Sequence, residues 1–383
     1  MRTRAIALVL LALGGCAVAP QRSDSGKYFA DALFRAPAKP IDATQVLAVS
    51  EAMKRYVALE IGTLRGVKDR QRTFIDALRD KGRLKLEYDG TFTRNAAEAF
   101  DARTGNCLSL VIMTAALAHE MDIGVRYQNV YVEETWSRQG ALYFSIGHVN
   151  LTLGRNPPKL GSRIDDGAQL TVDFLPPPDL RGTTWRVIGE KTILAMYMNN
   201  RAAESLAAGK VDDAYWFARE AIRQDPEFMT PYNTLGVIYQ RRNHFEEAAR
   251  IFAYALDREP RNTHVMSNLA PVLASLGRAA ESKALVSRLA QLEPDPPFAY
   301  FNRGVEAMRA GDFRAARDLF VKELDRSPNY HEFHFWLALA LVNLGEAEQA
   351  RQHLALAMES STTKKDRDLY SAKLDRIRPA RQP

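Results

Sequence analysis

The chain has 383 residues, of which 46% are hydrophobic, and a formal net charge of +6. A chain of this length can bury more than one core, so two or three domains are expected. The positive charge is dispersed, with no dense Lys/Arg block interleaved with aromatic residues, which argues against nucleic acid as a partner.

Arg2 and Arg4 precede a short apolar run, Ala5 to Leu13. The run is too short to span a bilayer, which takes about 20 residues, and has the architecture of an export signal. Leu13-Gly14-Gly15-Cys16 follows, and this sequence resembles a bacterial lipobox. The resemblance implies that residues 1–16 are a lipoprotein signal and that Cys16 is acylated. With Ala17 rather than Asp behind the cysteine, it implies an anchor in the outer membrane, facing the periplasm. Residues 17–43 are polar, carry Pro20, Pro37 and Pro40, and read as a tether. Once Cys16 carries lipid, Cys107 is the single cysteine of the folded body and has no intrachain disulfide partner.

From Thr44 to Arg79 the apolar residues recur at helical spacing, which predicts two amphipathic helices broken around Gly62 to Gly66. Leu84 to Tyr88 reads as a short extended piece. Arg103-Thr-Gly-Asn-Cys-Leu-Ser-Leu110 then sets Cys107 at the start of a helix that is apolar nearly all round and therefore belongs in a core, with Gly124 as its stop. Strands are predicted at Val125–Val132, Leu142–Leu153 and Leu170–Phe174, with a loop over 154–168 and a stop at Pro176-Pro177-Pro178. The second strand is apolar on both faces, with His148 on one and Val149, Leu151 and Leu153 on the other, so it is central or covered.

A thiol at a helix start faces unpaired N–H groups that stabilise negative charge on sulfur and on a developing oxyanion. Two histidines lie between Cys107 and the later repeats. His119 is twelve positions along the same helix, ~18 Å away, which leaves His148 as the base. Asp173 on the next strand can orient the imidazole, with Asp165, Asp166 and Asn150 as rivals. Gln128 and Tyr127 are candidate oxyanion partners. The segments RTGNCLSL, SIGHVNLTL and LTVDFLP together resemble the transglutaminase-like cysteine peptidase superfamily. That resemblance implies a papain-like α+β domain over residues 44–180, with Cys107 as nucleophile, His148 as base and acid, and Asp173 as orienter. Val149-Asn150 stands where the family often has an aromatic residue after the histidine.

Residues 181–194 read as a short connection. Beyond them Pro226, Pro260, Pro294 and Pro328 recur every 34 residues, the tetratricopeptide period. The unit ending at Pro260 carries Tyr232, Leu235, Gly236, Tyr239, Ala248, Phe252 and Ala255, which resembles the tetratricopeptide pattern closely. Five repeats are predicted over 195–362, with a capping helix and tail over 363–383. Pro271 should kink the third repeat's first helix. His331, His334 and His353 fall in the last repeat without a metal-ligand motif, and no cofactor or metal is expected.

The expected fold is a papain-like, transglutaminase-like α+β domain followed by an all-α tetratricopeptide superhelix. The expected function is a lipid-anchored cysteine peptidase or amidase working through a thioester, whose repeats bind a protein or peptide. A non-catalytic repeat scaffold with a vestigial papain-like domain is the alternative.

Overall fold

A computed structural model of the chain describes residues 25–37, 39–60, 73–78, 84, 86–139, 142–154, 170–174, 184–361 and 363–377, with backbone alone for 132–139 and 142–146. The signal, Cys16, the Gly62–Gly66 break, Asp165, Asp166 and the three prolines before the connection lie outside the described residues.

The first part of the molecule packs helices on an antiparallel sheet. Helix α1 (Glu51–Glu60) and a helical segment α2 (residues 73–78) are followed by β1 (Glu87–Tyr88), α3 (Ala96–Ala102), β2 (Thr104–Gly105) and α4 (Cys107–Glu120). Every residue of α4 from Cys107 to Ala118 is buried, as its unbroken apolarity requires. The helix stops earlier than expected. Asp122 takes the left-handed conformation (φ 55°), the Ile123 N–H returns to the Ala118 carbonyl, and Gly124 already opens the next strand.

Strands β3 (Gly124–Gln139) and β4 (Leu142–Gly154) form a long hairpin, flanked by β5 (Leu170–Val172) and β6 (Thr184–Ile188) in the order β5-β4-β3-β6. Residues paired across an antiparallel ladder share a face. His148 pairs with Val130 and Asn150 with Gln128, while Tyr127 pairs with Leu151 and Val125 with Leu153. The second set joins Val149 and Ile188 in one apolar core with α4, so β4 is covered as expected.

Two predicted boundaries need correction. Residues 181–194 are no mere connection. Thr184–Ile188 is an edge strand on β3, and Gly189 alone separates it from α5 (Glu190–Ala207). This strand has no alternating burial to mark it, since four of its five residues are exposed, Trp185 and Val187 among them. The second correction concerns the tether. Its described part docks on the repeats. Tyr28 and Phe34 are buried in the repeat core, Tyr239 Oη donates to the Tyr28 carbonyl at 2.7 Å, and Trp216 Nε1 donates to the Arg35 carbonyl at 2.6 Å. Three aromatic residues within 28–34 supply the apolar area that a free tether lacks.

The remainder is helix pairs: α5 with α6 (Val211–Gln224), α7 (Thr230–Arg241) with α8 (Phe245–Arg258), α9 (Thr263–Ser275) with α10 (Ala279–Leu292), α11 (Ala299–Ala310) with α12 (Phe313–Arg326), and α13 (His331–Asn343) with α14 (Ala347–Glu359). Helix α15 (Lys364–Leu374) covers α14. The first helix of each pair ends beside a left-handed residue, Gly209, Asn243, Gly277, Gly311 or Gly345, again 34 residues apart. Such a residue turns the chain back without a Cβ clash when it is glycine. Helix α9 runs unbroken through Pro271. Helix α10, however, buries none of its residues, and the repeat core divides there into one cluster ending near Leu273 and another beginning at Phe298.

Candidate active site

The start of α4 is fixed from several sides. β1 and β2 pair in parallel, with Tyr88 opposite Gly105. A Cβ at Gly105 would stand 2.7 Å from Ser109 Cβ, so only glycine lets the chain turn this tightly into the helix. Asn106 caps the helix, its Oδ1 accepting from the Ser109 N–H at 2.9 Å. Cys107 is therefore the first helical residue, as the sequence suggested. Its side chain is buried, 7% exposed.

His148 comes from the middle of the sheet and is fully enclosed. Its Nε2 lies 2.9 Å from Asp173 Oδ1 and 3.0 Å from Oδ2. Asp173 directly follows β5, whose pairing with β4 sets the carboxylate beside the ring. Burial opposes charge on the imidazole. The hydrogen bond to Asp173, and then hydrogen bonding and charge interaction with Cys107, outweigh it and raise His148 to about 9. The imidazole and carboxylate thus meet from two strands, and Cys107 at the helix start is near enough to act on the ring's charge. With Nε2 held by the carboxylate, Nδ1 is the ring nitrogen that can serve the sulfur.

The other nominated residues divide. Asn150 binds the carboxylate rather than the ring, Nδ2 donating to Asp173 Oδ2 at 2.7 Å, and its Oδ1 is buried without a partner among the described residues. Gln128 is buried on the same sheet face as His148 and Asn150. Tyr127 lies on the opposite face with its hydroxyl 3.4 Å from Glu190, away from the thiol. His119 is exposed at the far end of α4. In the last repeat His331 Nδ1 lies 2.7 Å from Tyr370 Oη, and His334 Nδ1 lies 3.0 Å from His353 Nδ1.

Two site neighbours were missed in the sequence. One is Tyr88, set opposite Gly105 by the pairing of β1 and β2; burial first, then the nearby Cys107 and Asp89, push its pKa well above the ordinary value. The alternation Leu84, Leu86, Tyr88 could have flagged it as inward-facing. Thr93, 1% exposed, accepts from Asn106 Nδ2 at 2.9 Å, and no sequence signal marks it out.

Models of the tetratricopeptide repeat match residues 239–301 and 301–362. The chain carries tetratricopeptide repeats. The chain is 26% identical over 141 residues to the STIP1 homolog of Dictyostelium discoideum, spanning 35% of this chain and 24% of that one. It is 28% identical over 140 residues to the heat shock protein sti1 homolog of Schizosaccharomyces pombe, spanning 35% and 22%. The chain therefore covers about a quarter of these relatives' length. Among solved structures, the tetratricopeptide protein YrrB, described as having an unusual peptide-binding site, aligns at 20% identity over 47% of this chain and 92% of its own, with a TM-score of 0.26.

Proposed function

We propose that residues 44–180 form a papain-like, transglutaminase-like domain that cleaves an amide bond through a Cys107 thioester, and that the repeats hold the protein or peptide it acts on. The convergence of Cys107, His148 and Asp173 carries this reading. His148 Nδ1 takes the thiol proton, and the sulfur attacks the amide carbonyl. The carbonyl oxygen gains the negative charge, which the N–H groups at the start of α4 can hold. The His148 imidazolium then gives its proton to the leaving amine, and the C–N bond breaks to leave the thioester. Water, deprotonated by His148, attacks the thioester and releases the acid and the thiol. Asp173 keeps the ring oriented and supports its positive charge. Water is the favoured acceptor; an amine in its place would make the product a new amide. We further propose that Cys16 carries lipid and moors the protein to the outer membrane on its periplasmic side.

The burial of Cys107 favours a second reading, in which the repeats bind a partner and the thiol is inert. Alkylation by iodoacetamide separates the two, with modification read at the Cys107 peptide by mass spectrometry. An activated thiol reacts fast at mildly acidic pH and slows in His148→Ala. Reaction at the pace of an ordinary cysteine, indifferent to His148→Ala, leaves the scaffold reading.

A further inference from the structure

The nucleophile's helix is braced from the repeat array. Thr93, in the loop between β1 and α3, is buried and uses its polar groups across the boundary. Its N–H donates to Glu204 Oε1 at 2.7 Å, and its carbonyl accepts from Arg201 Nη1 at 3.3 Å. Its hydroxyl oxygen accepts from Asn200 Nδ2 at 3.2 Å and from Asn106 Nδ2 at 2.9 Å. Asn200, Arg201 and Glu204 all belong to α5, the first repeat helix. Asn106 is the residue before Cys107 and the cap of its helix.

The chemistry of the cap explains why this matters. An asparagine amide can present either its oxygen or its nitrogen to a helix end. Thr93 Oγ1 takes the Asn106 nitrogen, which leaves Asn106 Oδ1 facing Ser109, where it accepts from both the N–H (2.9 Å) and the hydroxyl (2.8 Å). Glu204 takes the Thr93 N–H at 2.7 Å, which holds Thr93 in place to accept from Asn106. Arg201 holds that carboxylate in turn, at 3.1 Å. A closed network of this kind fixes one arrangement, and a missing member loosens the rest.

We propose that Glu204 and Asn200 of the first repeat are positioning residues for Cys107, acting through Thr93 and Asn106, so that the repeats complete the thiol site. This rests on the cysteine-nucleophile reading above. It adds that residues 44–180 are not a self-sufficient enzyme. The repeats set the geometry of the sulfur as well as holding a partner.

The test uses the full-length chain and iodoacetamide, with the rate at Cys107 followed across pH. Thr93→Val removes the hydroxyl with little change of shape, Thr93→Ser keeps it, and Glu204→Ala removes the acceptor of the Thr93 N–H. Thr93→Val and Glu204→Ala should label about tenfold slower at neutral pH with a displaced pH–rate profile, and Thr93→Ser should restore the native profile. Native rates and profiles in Thr93→Val and Glu204→Ala, with only a lower melting temperature, would overturn the proposal and leave Thr93 a purely structural contact. His148→Ala keeps the two ideas apart. If it labels slowly while Thr93→Val labels normally, the brace alone fails. If it labels at the native rate, the nucleophile reading fails and takes the brace with it.

Discussion

The ring of Phe34 lies flat on the ring of Tyr215, with centroids 4.0 Å apart and planes 6° from parallel. The same tyrosine takes the Ala30 N–H at 2.9 Å and gives its own proton to Asp31 at 2.6 Å. Residues 25–35 are thereby a strap on α6–α8. Phe34→Ala removes a buried ring and should cost about 3 kcal/mol. Limited proteolysis should then cut near residue 34 in the variant and spare the native chain; equal protection in both would mean that the strap does not depend on this stack.

Asp173 is predicted to matter more than its neighbour Asn150. Asp173→Asn removes the charge that balances His148, so alkylation of Cys107 should slow by an order of magnitude or more, about ten- to a hundredfold. Asn150→Ala leaves both carboxylate contacts to His148 in place and should have the smaller effect. Equal losses in the two variants would mean that the carboxylate needs its amide clamp as much as its charge.

The raised pKa of His148 makes stability depend on pH, and the sign follows from linkage. The folded protein binds this proton more tightly than the unfolded chain, whose histidines titrate near 6.5. The stabilisation is therefore complete below about 6.5 and is lost as pH rises through about 9. Melting temperature should decline across that window, and His148→Gln should flatten the decline. A native chain whose melting temperature is level from 6.5 to 9 would show that the proton is not held.

Gly236 and Gly304 each lie under an aromatic ring. A Cβ would come within 2.4 Å of Phe252 in the first case and 2.5 Å of Phe320 in the second. Elsewhere in the 34-residue register the partner positions pair Ala202 with Ala218, Ala270 with Val286 and Ala338 with Leu354. Glycine meets phenylalanine in two units, and alanine meets alanine, valine or leucine in the other three. Gly236→Ala should cost about 1–3 kcal/mol by overpacking, and adding Phe252→Leu should return part of it. Denaturant titration of the single and double variants measures the coupling; strict additivity would refute it.

Membrane attachment has its own check. Cys16→Ser should move the protein from the membrane fraction to the soluble one. Retention in the membrane would refute the lipid anchor.

How much of this was legible follows the range of the interactions. The start of α4 is local: Gly105, Asn106 and Cys107 encode a turn, a cap and a nucleophile position in three consecutive residues. The repeats were legible because Pro226, Pro260, Pro294 and Pro328 recur every 34 residues. The partnership of His148 with Asp173 came from the order of the strands, since both sit where β4 and β5 pair. The strap, β6 and the Thr93 brace depend on contacts more than 50 residues apart, where one side gives no pattern of its own. The interruption at α10 has a trace in the sequence. Val286 stands where Phe252 and Phe320 fill the neighbouring units, and Pro294, Pro296 and Pro297 follow.

The strap sets a leash length. The described docking starts at Ser25, so a lipid on Cys16, as proposed, would be joined to it through residues 17–24. Eight residues drawn out fully reach no more than about 30 Å. Under the proposed lipid anchor, the working radius of the thiol would be little more than the body's own size, and the protein would serve what passes close to the bilayer rather than what drifts deeper in the compartment.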